Sequence, residues 1–299
     1  MPNETDRPTQ PRSLLLATDL SARCDRALDR AAALATKWNA ELVGVHALEQ
    51  TDDVYESLIE RRLPSWHRMV DPGRIAVDQL RHDLAGTAPD ISAVVERADP
   101  TELVLRVAAE RGCGLIVTGI ARDETLGRFG LGTTVDHLLP RIDVPLLIVR
   151  ERARSDYRHI VVATDFSTSS RAALETALAF FPGERITLFH VYDTPLAGLA
   201  DNRDGVEAQY RLAAEQACRA FLDEAVSDKA LRDTIDVLVE QGPLIELLQL
   251  YVRAHGADLI VVGTEGHTGI ASLFLGSDAR DVVASAFSDV LVVRRRTTA

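Results

Sequence analysis

Short runs rich in β-branched and leucine residues alternate along the chain with stretches in which apolar residues recur every three or four positions. The later part shows this best. Runs at 160–164, 186–191, 235–240, 258–262 and 290–294 read as strands, and the periodic stretches at 169–180, 206–226, 244–255 and 277–286 read as helices. "IVVA" and "LIVV" are apolar at every position, the mark of strands buried on both faces. Strand and helix in strict alternation call for parallel strands joined by crossovers, with helices on both faces.

The pattern occurs twice. "LLLATDLSARCDRALDRAAALA" parallels "IVVATDFSTSSRAALETALAF", "ELVGVHAL" parallels "RITLFHVY", and "GCGLIVTG" parallels "GADLIVVG". His46/His190, Gly119/Gly263 and Gly132/Gly276 share one numbering offset of 144, so two copies of one domain lie in tandem. The expected layout is a disordered tail at 1–12, a first domain at 13–150, a short polar linker at 151–158 and a second domain at 159–299. The fold class is α/β: two repeated doubly wound domains, each a five-stranded parallel sheet of order 3-2-1-4-5. The apolar last strands, "VPLLIVR" and "SDVLVVR", are edges that need cover, which an intramolecular pseudo-dimer would give. A further homodimer is an open possibility that no sequence feature carries.

With that strand order, ligands bind where strands one and four part. Strand one of the second copy ends at Asp165, and strand four ends at Gly263. After it comes "GTEGHTGIASLFLGSD", in which Gly263, Gly266, Gly276 and Ser277 precede a helix. Glycines let amides approach a ligand, and a helix N-terminus with a capping hydroxyl attracts anions. The same glycines also read as turn formers, with Ser277 as a plain cap. Asp165 reads equally as a contact to ribose or a cation and as a turn residue holding local amides. His190 and its equivalent His46 read as core residues, and His267 as an exposed loop residue.

Composition narrows the function. A net charge of -12 speaks against nucleic acid and anionic membranes as partners, since both are held by excess Lys and Arg. Cys24, Cys113 and Cys218 have no metal-ligand spacing and read as reduced thiols. The polar N-terminus has no signal-peptide core, and the expected location is cytoplasmic. There is no phosphate-loop lysine motif, H-E-x-x-H or G-x-S-x-G, so no strong hydrolytic machinery is legible.

These residues resemble the universal stress protein family in its tandem form. The resemblance lies in "ATDFS", the "HV" of strand two and the spacing Gly-x2-Gly-x9-Gly-Ser at Gly263, Gly266, Gly276 and Ser277. It implies ATP, often with Mg2+ or Mn2+, in the second domain. Adenine would lie by Ala163, Asp165 and Val191, ribose by Val262 and Gly263, and phosphates on Gly266, Gly276, Ser277 and Asp278. The first copy departs from the motif: Asp19, Gly119, Gly132 and Thr133 are present, but Arg122 replaces the second glycine. Arg122 either fills the phosphate space or lends a guanidinium to an anion, so the first site is degenerate or altered. The segment at 49–84 either covers the first crevice or docks an unknown protein partner, and its Trp66 and Met69 read first as residues packed under a helix and second as anchors. The expected role is a nucleotide-binding stress-response sensor. A slow ATP hydrolase or nucleotidyl-transfer enzyme and a nucleotide-free scaffold stand as alternatives.

Overall fold

The computed structural model describes residues 8–22, 24–48, 71–88, 90–120, 132–194, 203–264 and 277–294. The first half runs β1 (Ser13–Ala17), α1 (Asp25–Trp38), β2 (Glu41–Leu48), α2 (Pro72–Leu84), β3 (Asp90–Arg97), α3 (Pro100–Glu110), β4 (Leu115–Gly119), α4 (Thr133–Leu138) and β5 (Leu146–Val149). The second runs β6 (His159–Ala163), α5 (Thr168–Phe180), β7 (Arg185–Tyr192), α6 (Arg203–Ala225), α7 (Lys229–Arg232), β8 (Asp236–Gln241), α8 (Leu244–His255), β9 (Leu259–Gly263), α9 (Ser277–Ser285) and β10 (Asp289–Val293). Side-chain caps set several helix starts: Asp99 accepts from the Glu102 amide at 3.0 Å, and Ser167 from the Ser170 amide at 3.1 Å. Gly256, at φ 63°, stops α8 in the left-handed conformation.

The strands form one ten-stranded sheet of order β3-β2-β1-β4-β5-β10-β9-β6-β7-β8. Each half therefore has the order 3-2-1-4-5 and parallel pairing throughout. The halves meet where β5 pairs antiparallel with β10, through Val290–Ile148, Leu291–Leu147 and Val292–Leu146. One face of the sheet is covered by α1, α2, α5 and α6, the other by α3, α4, α8 and α9, and each face has its own apolar core.

The seam extends beyond the sheet. On one face Trp38 of α1 packs against Phe180 and Phe181 of the second half, with ring centroids 5.4 and 5.9 Å apart. Lys37 lies 3.2 Å from Glu184 and 3.1 Å from Asp156. The expected polar linker carries an anchor within it. Tyr157 is 2% exposed, edge-on to Phe181, with the Arg30 guanidinium 4.0 Å above its ring. Its hydroxyl donates to Asp289 Oδ2 at 2.6 Å. The other oxygen of Asp289 accepts the Arg150 and Glu151 amides at 2.7 and 2.9 Å, and Arg30 Nε lies 3.5 Å from Oδ2. One fully buried carboxylate at the start of β10 thus gathers β5, the linker and α1. Burial, and then the Asp289 charge, push the Tyr157 phenol well above its ordinary pKa, so it stays a donor. The N-terminal segment is also partly packed: Gln10 donates to the Phe180 carbonyl at 3.1 Å, and Pro11 is buried. Residues 1–7 of the expected tail lie outside the described residues.

Removing the Asp289 carboxylate leaves the buried Arg30 guanidinium without its counter-charge and two amides without their acceptor. Asp289→Ala is expected to cost about 3–5 kcal/mol in denaturant unfolding, and Tyr157→Phe about 2 kcal/mol. Equal, small losses for both would contradict the hub. His159 gives a pH test. Its ring is buried against Thr187 Oγ1 at 3.0 Å, and burial lowers its pKa. A lowered folded-state pKa means the unfolded chain binds the proton more readily, so stability is lost as pH falls from the ordinary imidazole range. The thermal midpoint should drop between about pH 7 and about pH 5, and drop less in His159→Gln.

Candidate functional site

In the second half β6 and β9 are neighbours whose chains leave the sheet in different directions, β6 toward β7 and β9 toward β10. This opens a crevice at their C-terminal ends. Ala163 closes β6, and the turn after it is locked by two side chains. Thr164 Oγ1 accepts from the Phe166 amide and Asp165 Oδ1 from the Ser167 amide, each at 3.0 Å. Phe166 is held at φ 65°, uncommon for a bulky residue, and its ring lies 4.3 Å from that of His190. The turn-forming reading of Asp165 is thus realised. His190 Nδ1 meets the Thr164 carbonyl at 2.9 Å, and burial lowers the ring's pKa, so it is a neutral tie between the two strands.

The main chain of β7 gives the crevice its polar edge. The Phe189 carbonyl accepts the Thr164 amide on the β6 side, while the Tyr192 carbonyl accepts the Gly242 amide on the β8 side. Strand alternation therefore turns the N–H and C=O of Val191 the same way as those of Phe189, past the point where β6 has ended. Val262 is buried in β9. Gly263 lies outside the positive-φ region, and its lack of a side chain has a steric cause: a Cβ would sit 2.5 Å from the Ser169 carbonyl carbon of α5. The expected positive φ is not found at this glycine, whose role is close packing of α5 on β9. Ser277 and Asp278 open α9, so Ser277 is the first helical residue and not the residue before it. Gly266, Gly276 and His267 lie outside the described residues.

The first half repeats this geometry. Leu20 stands at φ 60°, Asp19 Oδ1 accepts the Ser21 amide at 2.9 Å, and His46 Nδ1 meets the Thr18 carbonyl at 3.0 Å. A cavity of about 270 Å³ opens here, lined by Asp19, Gly119, Gly132 and Thr133 together with Ala17, Val45, His46 and Ala47. Gly132 sits at φ 80° ahead of α4, a conformation that favours glycine. Cys24 stands where the second half has Ser170, and its thiol donates to Asp19 Oδ1 at 3.1 Å. Burial, and then Asp19, push the thiol up to about 11. For Asp19 burial works upward, but the hydrogen bonds from Ser21 and Cys24 outweigh it and hold the carboxyl below its ordinary range. Pro100 and Val104 of α3 also line the cavity. Sequence reasoning missed them because it followed strand ends; the signal was the helix start "DPTEL" facing that end of the sheet. Arg122, Trp66 and Met69 lie outside the described residues.

Chemically, each crevice offers apolar walls, free strand-edge main chain and a helix head, a set suited to a flat heterocycle with an anionic tail. Among the described residues no cluster of three or more His, Cys, Asp or Glu could hold a metal.

The universal stress protein family model matches the chain twice, at residues 11–150 and 156–294. A universal stress protein of Thermus aquaticus is 32% identical over 140 residues, covering 46% of this chain and 99% of that protein. One from Methanocaldococcus jannaschii is 26% identical over 161 residues, covering 48% of this chain and 98% of its own length. In fold the chain resembles a putative universal stress protein of Pseudomonas aeruginosa at TM-score 0.66 and 21% identity, over 96% of this chain and 94% of the other. Two consecutive matches to one family model, on a fold built of two like halves, show that the chain belongs to the universal stress protein family as a tandem of two of its domains.

Proposed function

We propose that the protein binds an adenine nucleotide, ATP in the first place, in the second-half crevice, and works as a nucleotide-responsive regulator in a stress response. The observation that carries this reading is the edge of Val191, whose N–H and C=O face the crevice as a donor and acceptor pair. Such a pair suits the hydrogen-bonding edge of a purine. Asp165, whose turn follows β6 at the same crevice, would contact the adenine or the ribose. The tail of the nucleotide would lie along Val262 and Gly263 toward Gly266, Gly276, Ser277 and Asp278, where the first-turn amides and dipole of α9 favour phosphate. Mg2+ or Mn2+ would accompany the phosphates.

The first crevice is proposed as an altered site, because Arg122 stands where the motif has its second glycine. The domain layout supports one intact site per chain. A regulatory role is favoured over turnover because the sequence has no phosphate-loop lysine motif, H-E-x-x-H or G-x-S-x-G. Bound nucleotide would then act by stabilising one conformation for an unknown protein partner. No described helix is long and apolar enough to cross a membrane, and cytoplasmic location remains part of the proposal.

Denaturing the purified protein and identifying released nucleotide by chromatography tests this directly. About one ATP or ADP per chain is expected, with thermal stabilisation by about 3 kcal/mol when MgATP is supplied at a hundredfold over its Kd. No released nucleotide and no stabilisation would leave the scaffold alternative standing. Asp165→Asn separates the remaining readings, since it keeps the turn's acceptor and removes the charge. Affinity should fall about tenfold with little change in unfolding temperature. Loss of measurable ATP turnover with unchanged affinity would favour the enzyme instead.

A further inference from the structure

The helix that carries Ser277 and Asp278 at its head is held at its tail by a residue of the other half. Arg150 follows β5, and its Nη2 donates to the carbonyls of Val283 and Ala284, the latter at 3.1 Å. These are last-turn carbonyls of α9, which no further turn of helix can pair. A cation fixed there also complements the helix dipole. Arg150 itself has little freedom. It is buried, its amide donates to Asp289 Oδ1 at 2.7 Å, and its carbonyl accepts from Arg26 Nη1 at 2.6 Å. The tail of α9 is thereby referenced to α1 of the first half and to β10 of its own.

The contact has a weaker mirror image. Arg294, at the equivalent position of the second half, donates Nη1 to the Pro140 carbonyl just beyond α4 at 2.8 Å. The place of Asp289 is taken in the first half by Pro145, so Arg294 lacks the carboxylate that fixes Arg150, and it is only half-buried. Arg280 of α9 also meets Asp136 of α4 at 2.9 Å, but both side chains are substantially exposed and the pair is screened. Within the second half Gln249 of α8 also holds this tail, its Nε2 donating to the Ser285 carbonyl at 2.8 Å. Of the contacts made across the seam, the firm one is that of Arg150.

We infer that Arg150 is a positioning residue for the second-half crevice, supplied across the seam by the first half. It touches no nucleotide. By fixing the tail of α9 it sets the direction in which the helix presents its first-turn amides. This rests on the nucleotide reading above. Linkage makes the effect mutual: a phosphate seated on the head of α9 strengthens the hold of Arg150, so occupancy of the crevice tightens the junction between the halves.

The test compares Arg150→Gln with Arg294→Gln in the full chain by calorimetric titration with MgATP, thermal unfolding without nucleotide, and amide hydrogen exchange over residues 277–285. Arg150→Gln should weaken MgATP binding about tenfold, the size of effect of a partly buried cation at a helix C-terminus, and speed exchange in α9. Arg294→Gln should lose stability yet keep MgATP affinity within about twofold, as expected for an uncoupled site. Should Arg150→Gln fail to fold, Arg150→Lys, which keeps the charge but not the planar fork, gives the same comparison at smaller amplitude. Wild-type affinity in a destabilised Arg150 variant overturns the proposal, as does equal weakening by both glutamine variants or unchanged exchange in α9. A wild-type protein that binds no MgATP overturns the nucleotide reading and this inference with it.

Discussion

The antiparallel pairing of β5 with β10 is the contact on which the rest of the molecule depends. Each half ends in an apolar strand that would otherwise be an open sheet edge, and each covers the edge of the other. Once those strands are joined, the linker is confined to a short path, and Tyr157 is brought over the start of β10. There Asp289 converts the path into a fixed structure by accepting two amides and the phenol beside a guanidinium. A buried carboxylate of this kind is costly unless every partner is in place, so it disfavours any pairing of the halves that leaves one out.

The two crevices are built alike where the turn after strand one is concerned, and differ where a ligand would be gripped. Both use a Thr and an Asp to hold a residue at positive φ, and both tie a histidine to the strand-one carbonyl. Such duplication of a strained turn implies that the geometry itself is being kept, since either half could have relaxed it with a glycine. The differences lie at Cys24 against Ser170, Ala47 against Val191, Thr133 against Ser277 and Arg122 against Gly266. The changes at Cys24 and Ala47 are changes of side chain on a like frame, while Arg122 and Gly266 lie outside the described residues.

Most of the frame was legible in the sequence because strands buried on both faces leave unbroken apolar runs. The runs at 160–164 and 258–262 match β6 and β9 to within a residue, and the alternation with helices announced a parallel sheet, whose supposed order 3-2-1-4-5 each half shows. The seam was legible only in part. Two apolar end strands announced the pairing, but nothing distinguishes Asp289 from any other acid at the start of a strand, and Tyr157 sits among charged residues that read as a loose tether. Gly263 shows a different limit. Its place in a glycine-rich motif suggested a ligand, whereas its environment shows that the carbonyl of Ser169 alone would exclude a side chain. A motif glycine can have a packing cause and a binding context together, and spacing does not separate them.

Because β10 runs against β5, the strands of the two halves point in opposite directions, and so do the crevices at their C-terminal ends. The mouths open at opposite poles of the molecule. A protein docking over one pole leaves the other open to solvent, and two ligands can never meet face to face. The tandem therefore has the geometry of a bridge with one crevice on each side, and any influence of one end on the other must cross the seam, through the paired strands or the side chains packed beside them.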